Sequence, residues 1–401
     1  MTITLIRNAR LLTMDHDGSP GPRRGRALAD LRPVDNGWIR FDDTRILDLG
    51  TCPMTGGRRE ADDVVDAAGR VVMPAFIDAH THACWAGDRL DEWEMKQRGA
   101  TYLDILKAGG GIMSTVRAVR QASEQELAAG VRQRLDRMRR EGTTTVEIKS
   151  GYGLTTGDEL KMLRAIDAAA ATWPGTATKT ALIAHAKDND QPDFVARTIS
   201  ETLPAVHEAC PGITVDAYCE QGAWSRDETV ALFEAARALG HPLRVHADQF
   251  NELGMLEEAV RLGAVSVDHL EATGAASLER LARSRTFGVM LPCSGFHVDG
   301  RYADGRRFVD AGGALVIATN CNPGSAPTTS MPMAIALAVR HLGLSAAEAI
   351  AACTVNAAAL LGFDDRGALR PGLRSDLLML DETDERQLGY SFGGNPVARV
   401  W

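Results

Sequence analysis

Val71-Val72-Met73-Pro74-Ala75-Phe76-Ile77-Asp78-Ala79-His80-Thr81-His82 is an apolar run that ends in two histidines. Its composition predicts a buried strand over Val72–Asp78. Residues two apart on a strand point to one side. His80 and His82 therefore stand together at the C-terminal end of that strand. Two neutral imidazoles on one rigid element form half of a divalent metal site.

Outward from this run, strand and helix patterns alternate. Eight apolar strands are expected: Val72–Asp78, Thr144–Lys149, Thr178–His185, Thr214–Glu220, Leu243–His246, Val265–His269, Phe287–Leu291 and Ala314–Thr319. Amphipathic helices such as Glu124–Glu141, Asp158–Ala171, Arg226–Leu239, Leu253–Leu262 and Met331–Leu342 separate them. Eight such units over roughly 280 residues predict an α/β protein built on a (β/α)8 barrel. An open doubly wound sheet competes, but no Gly-X-Gly-X-X-Gly turn follows the first strand.

The two ends have another texture. Ile3–Leu12, Gly37–Phe41 and Arg45–Gly50 read as strands, and Val64–Val72 as a hairpin leading into the core. Gly18–Arg32 is rich in Gly, Pro and Arg and is expected to be a mobile loop. The tail returns to strand pattern over Gly367–Leu380. Residues 1–70 and 366–401 are expected to pair in a small β-sandwich, with 71–365 forming the barrel.

The formal net charge of -9 argues against nucleic acid as a partner, because phosphate binding needs a basic face. A small anionic substrate needs only a local Arg or His and stays open. The 7 cysteines are scattered without a Cys-X-X-Cys pair, as expected for reduced thiols in the cytoplasm. No uncharged apolar run is long enough to span a membrane, and residues 1–7 lack the pattern of a signal peptide.

In a (β/α)8 barrel the chemistry sits at the C-terminal strand ends. Those ends carry His80 and His82, then Glu147-Ile148-Lys149-Ser150-Gly151-Tyr152-Gly153, then His185, Glu220, His246-Ala247-Asp248-Gln249, Asp268-His269, and Asn320-Cys321-Asn322-Pro323-Gly324-Ser325. Five of the 10 histidines thus fall at one rim. His80, His82 and His246 would hold Zn or Fe and leave a position for water. A metal so held lowers the pKa of water from about 15.7 towards 7. His269 is then free as a proton carrier. No lysine ends the fourth strand, which argues against a two-metal site bridged by a carboxylated lysine. Lys149, on the second strand, reads as structural or as support for the ligands. Arg89 follows His82 by seven residues and suits a carboxylate clamp. Tyr152, between two glycines, can reach into the barrel mouth or simply serve a turn.

The same residues resemble the imidazolonepropionase family of the amidohydrolase superfamily. The likeness lies in His80-Thr81-His82 through Asp88-Arg89, in Gly99-Ala100-Thr101-Tyr102, and in Gly109-Gly110-Gly111. It continues in Glu147–Leu154, Glu159–Arg164, His246–Gln249, Val267–Glu271 and Asn322–Ser325. The resemblance implies one Zn or Fe held by His80, His82 and His246, and a homodimer. It also implies hydrolysis of 4-imidazolone-5-propanoate to N-formimidoyl-L-glutamate, the ring-opening step of histidine degradation. Arg89, Tyr152, His185, Gln249, Asn322, Gly324 and Ser325 would contact substrate, while His269 and Gln249 would serve catalysis. At the end of the eighth strand the family carries an aspartate that touches the metal and takes a proton from water. Here that residue is Asn320, a neutral ligand that cannot accept the proton. Three outcomes stay open: an active variant, an amidase or deaminase on a related small ring, or a ligand binder with little turnover. The flanking Cys321 either approaches the metal or simply packs in its tight turn, and the strand-7 end, Leu291–His297, is atypical and alters the expected pocket floor.

Overall fold

The computed structural model describes residues 2–16, 18, 21–53, 61–101, 104, 105 and 108–401, so that Tyr102 lies outside it. The chain starts with β1 (Thr4–Leu12), β2 (Pro33–Phe41), β3 (Ile46–Thr51), β4 (Asp63–Asp66) and β5 (Val71–Pro74). Eight barrel strands follow: β6 (Phe76–Thr81), β7 (Thr143–Lys149), β8 (Thr176–Ala184), β9 (Thr214–Cys219), β10 (Leu243–Ala247), β11 (Ser266–His269), β12 (Phe287–Met290) and β13 (Leu315–Ile317). The tail adds β14 (Leu377–Leu380) and β15 (Val397–Val400).

β6 to β13 form one sheet in chain order, every neighbouring pair parallel. The seam between first and last strand closes just past β13. Asn320 N donates to His80 O at 3.1 Å, and His82 N donates to Cys321 O at 2.9 Å. The molecule is therefore the expected (β/α)8 barrel. β7, β10, β11 and β12 are buried along their whole length, as strands covered on both faces must be. The helices outside are amphipathic for the same reason. Glu124–Arg140 buries Leu127, Val131, Leu135 and Met138 on one stripe, and Ser123 with Glu126 closes its N-terminus as a capping box.

The second sheet joins both ends of the chain in the order β15-β14-β5-β1-β2-β3, with β4 also on β1. Three local expectations are corrected. Val72–Asp78 is two strands. Val71–Pro74 pairs with β1 and β14, whereas Phe76 N already bonds Gly142 O beside β7. A continuous apolar run does not say which sheet captures each half. Val64–Val72 is no hairpin, because β4 and β5 both run parallel to β1, one at its start and one at its end. Within Gly18–Arg32, residues Gly25–Ala29 form a 3-10 helix with Leu28 buried. Arg24 Nη1 anchors that turn to Ala282 O at 3.2 Å and Gly312 O at 3.3 Å, contacts that composition cannot announce. Among the described residues, no helix is long and apolar enough to cross a membrane.

Asp78 ties the barrel seam from within. Its carboxyl accepts Thr319 N at 3.1 Å and Thr319 Oγ1 at 2.5 Å. Burial pushes this carboxyl up to about 7, against the lowering effect of the Thr319 bonds. A group raised in the folded state stabilises below its unfolded pKa, and that stability is lost as pH rises through the folded value. Asp78→Asn, a mimic of the protonated form, is therefore expected to gain on the parent as pH rises from about 4 to about 7. Thermal unfolding of both proteins across that range checks it; a constant difference in Tm excludes a titrating Asp78.

Candidate active site

His80 on β6, His82 just after it and His246 on β10 converge at the C-terminal rim. Their ligating nitrogens lie within 4.8 Å of one another, and all three residues are buried. His82 Nε2 and His246 Nε2 stand 3.3 Å apart. His80 Nδ1 faces Asp268 Oδ2 at 2.5 Å, and His246 Nδ1 faces Asp216 Oδ1 at 3.1 Å. Each carboxylate fixes the tautomer that leaves Nε2 as a lone pair. His80 Nε2 is buried without a protein partner, as is Asn320 Oδ1. Burial holds the three rings below their usual pKa, His80 and His82 far below it. Three neutral, buried imidazoles with ligating nitrogens this close, one of them without any protein partner, suit a divalent cation, and the residues present fit one.

Beneath the histidines lies a buried ionic layer. Lys149 Nζ reaches Glu147 Oε1 and Asp216 Oδ2, both at 2.9 Å. Arg244 reaches Asp268 Oδ2 at 2.5 Å, Ser266 Oγ at 2.9 Å and Ala79 O at 2.8 Å. Burial alone would raise the Asp216 carboxyl, but the hydrogen bond from His246 Nδ1 and the charges of Lys149 and Arg244 hold it well below the usual range. Three carboxylates face two cations, which leaves one formal negative charge to be met by a metal.

The rim above is assembled from loops. His269 has φ +89, and its Nδ1 meets Glu271 Oε1 at 3.1 Å. Its ring centroid lies 5.6 Å from that of His246 and 6.1 Å from that of His80. His185 stacks on His82 with centroids 4.9 Å apart and bonds Gly151 O through Nδ1 at 3.1 Å. Burial pulls His185 down to about 3. Tyr152 lies 6.0 Å from His82 and 5.1 Å from His185, and burial pushes its phenol up, so it stays a donor. The Tyr152 loop hangs on Glu159, which accepts the N–H groups of Gly151, Gly153 and Leu154 at 2.9, 2.8 and 2.9 Å. A Cβ on Gly153 would fall 2.5 Å from Glu159 N, so only glycine fits there.

Gln249 Oε1 accepts from Tyr218 Oη at 2.9 Å, and its Nε2 reaches Ser294 Oγ at 3.5 Å. Asn322 Oδ1 accepts Gly324 N at 2.8 Å and Ser325 N at 2.7 Å, which folds the Asn322–Ser325 turn. Arg89 Nη1 comes against Gly324 and reaches Thr115 Oγ1 at 3.4 Å. Leu291–His297 is largely the helix Pro292–Val298, which carries Ser294 to Gln249. Cys321 is packed with Cys84 and Tyr152 and stands outside the group formed by His80, His82 and His246; burial pushes its thiol up.

Residues 71–401 match the amidohydrolase family, and the chain belongs to that family. Triazine hydrolase from Arthobacter aurescens shares the fold, with a TM-score of 0.76 at 17% identity over 100% of this chain and 93% of its own. So does a zinc-bound adenosine deaminase from Xanthomonas campestris, with a TM-score of 0.69 at 18% identity over 99% and 91%. Imidazolonepropionase of Herpetosiphon aurantiacus is 44% identical over 99% of this chain and 95% of its own length. That of Deinococcus radiodurans is 44% identical over 95% and 94%. Within the amidohydrolases, the chain belongs to the imidazolonepropionase family.

Sequence reasoning found the residues that end strands. It gave no role to Asp216 and Arg244, whose only signal is a charge inside an apolar strand, and it named Asp268, Glu159 and Glu271 only as parts of strand ends and motifs, without their roles as partners. Asp268→Asn should loosen His80 and strip Arg244 of its hydrogen-bonded counter-charge, leaving only Glu147 at 3.7 Å. The expected losses are about 10–100-fold in metal affinity and about 3–5 kcal/mol in stability. Competition against a chromophoric chelator, with thermal unfolding alongside, checks both; unchanged metal affinity would remove Asp268 from ligand orientation.

Proposed function

We propose that the chain opens the ring of 4-imidazolone-5-propanoate by hydrolysis, giving N-formimidoyl-L-glutamate in histidine degradation. The observation that carries this reading is the triad His80, His82 and His246, neutral and buried, set below a rim that presents Arg89. The relatives named above support the same activity. One divalent ion, zinc or iron, would be held by the three imidazoles with Asn320 Oδ1 as a neutral neighbour. Such an ion supplies Lewis acidity, bringing the pKa of water from about 15.7 towards 7.

The protein's own groups do the rest. Arg89 takes the propanoate carboxylate in a charge-assisted grip. Tyr152 and His185 flank the ring, and the Asn322–Ser325 turn with Gln249 supplies polar contacts that set its orientation. Water oxygen bonds to the ring amide carbonyl carbon, and the carbon–nitrogen bond then breaks. Asn320 cannot take the proton released by water. In this reading His269, hydrogen-bonded to Glu271, takes that proton and returns it to the departing nitrogen. Free thiols at all seven cysteines suit a cytoplasmic enzyme, and the family resemblance carries the homodimer into this proposal.

Ultraviolet absorbance of freshly made imidazolone propanoate, followed with Zn- or Fe-loaded protein, tests the reading. Turnover above the spontaneous rate, abolished by chelation, is expected. His269→Ala should lower kcat by about 10²–10⁴-fold, and Asn320→Asp should retain or raise it. Silence in the loaded parent with activity in Asn320→Asp would mean a ligand binder on an enzyme scaffold. Silence in both would direct the search to another ring substrate.

A further inference from the structure

Arg89 stands at the start of the helix Leu90–Gln97, and its guanidinium is already gripped by the chain itself. Nη2 donates to Glu92 Oε2 at 2.5 Å, and Nε pairs with Glu92 Oε1. One hydrogen bond through Nη2 and one charge contact at Nε, which makes no hydrogen bond of its own, hold the pair, and the side chains are only 15% and 17% exposed, so water and salt screen it weakly. Glu92 is wedged in turn: a Cβ on Gly110 would lie 2.9 Å from its Cδ. On the other side, Nη1 faces Thr115 and the Asn322–Ser325 turn, 3.4 Å from where a Cβ on Gly324 would sit.

A planar guanidinium grips carboxylates by its edges. Glu92 occupies the Nε–Nη2 edge, which leaves the Nη1 end for anything entering the rim. We infer that Glu92 is a positioning residue that fixes the plane of Arg89 and matches the clamp to a single carboxylate. This rests on the reading of Arg89 as the clamp. Without Glu92, the long arginine side chain has many rotamers to lose on binding. With it, the guanidinium is aligned before the ligand arrives. Glu92 also offsets the arginine charge, so a second negative group on the ligand meets repulsion.

Metal-loaded parent and Glu92→Gln are compared by titration calorimetry with two probes, 3-(imidazol-4-yl)propanoate and its neutral amide. The parent is expected to prefer the acid. Glu92→Gln should lose about tenfold in acid affinity, with amide affinity and Tm unchanged, and should raise KM for the imidazolone acid while kcat stays the same. A purely structural role would weaken both probes together and lower Tm. Equal or tighter acid binding by Glu92→Gln overturns the inference, since Glu92 would then compete for Arg89. A parent that binds acid and amide alike removes Arg89 as the clamp and takes the inference with it.

Discussion

Lys149 and Arg244 carry their charges into the barrel interior, where Glu147, Asp216 and Asp268 meet them. Burying ions costs several kcal/mol each, and such a layer adds little stability compared with apolar packing. Its value here is orientation. Asp268 and Asp216 each hold one imidazole by Nδ1, so the ring planes and tautomers of His80 and His246 are set before any metal arrives. The excess negative charge of the layer favours a cation at the histidines, while burial first and then the nearby positive charges of Lys149 and Arg244 keep His80 below its usual pKa and unprotonated. Four strands, β7, β9, β10 and β11, contribute to it, so the charge layer and the closed barrel require each other.

Above that rigid layer the site is built from loops whose backbone is held by side chains. Glu159 gathers three N–H groups of the Tyr152 loop, and Asn322 gathers two of its own turn. Both act as the partners that loop backbone must find when it is buried. The division is physical: deep, neutral imidazoles suited to a metal, and above them a rim whose loops are held by side-chain partners. Asn320 joins the two levels. It takes φ +56, where Asn and Asp are tolerated, donates its N–H to His80 O, and receives Asn322 Nδ2 on its carbonyl at 2.6 Å. Its backbone role at the barrel seam is independent of whether its side chain carries a charge.

The histidines and the barrel were legible because their signals are local. An apolar run ending in His-Thr-His needs only the two-residue strand period, and eight such runs separated by amphipathic helices need only counting. Arg89, Tyr152 and the Asn322–Ser325 turn were legible as residue types near strand ends. Glu92 was not, because on a helix it reads as a solvated carboxylate. Val71–Pro74 was misassigned because burial in the barrel and burial in the terminal sheet favour the same residues.

What the sequence determined by itself is therefore the set of strand ends, the metal-binding triad and the family pattern, including the amide at position 320. What only the tertiary structure decided is pairing. Asp268 lies 188 residues from His80, and Asp216 lies 30 from His246. The folded barrel also shows Lys149 shared between Glu147 and Asp216, and Arg89 held by Glu92 on one edge. Charge and hydropathy along a chain mark which groups will be buried. Hydrogen-bond partners at such separations exist only once strand order and register bring the groups within 3 Å or so of each other.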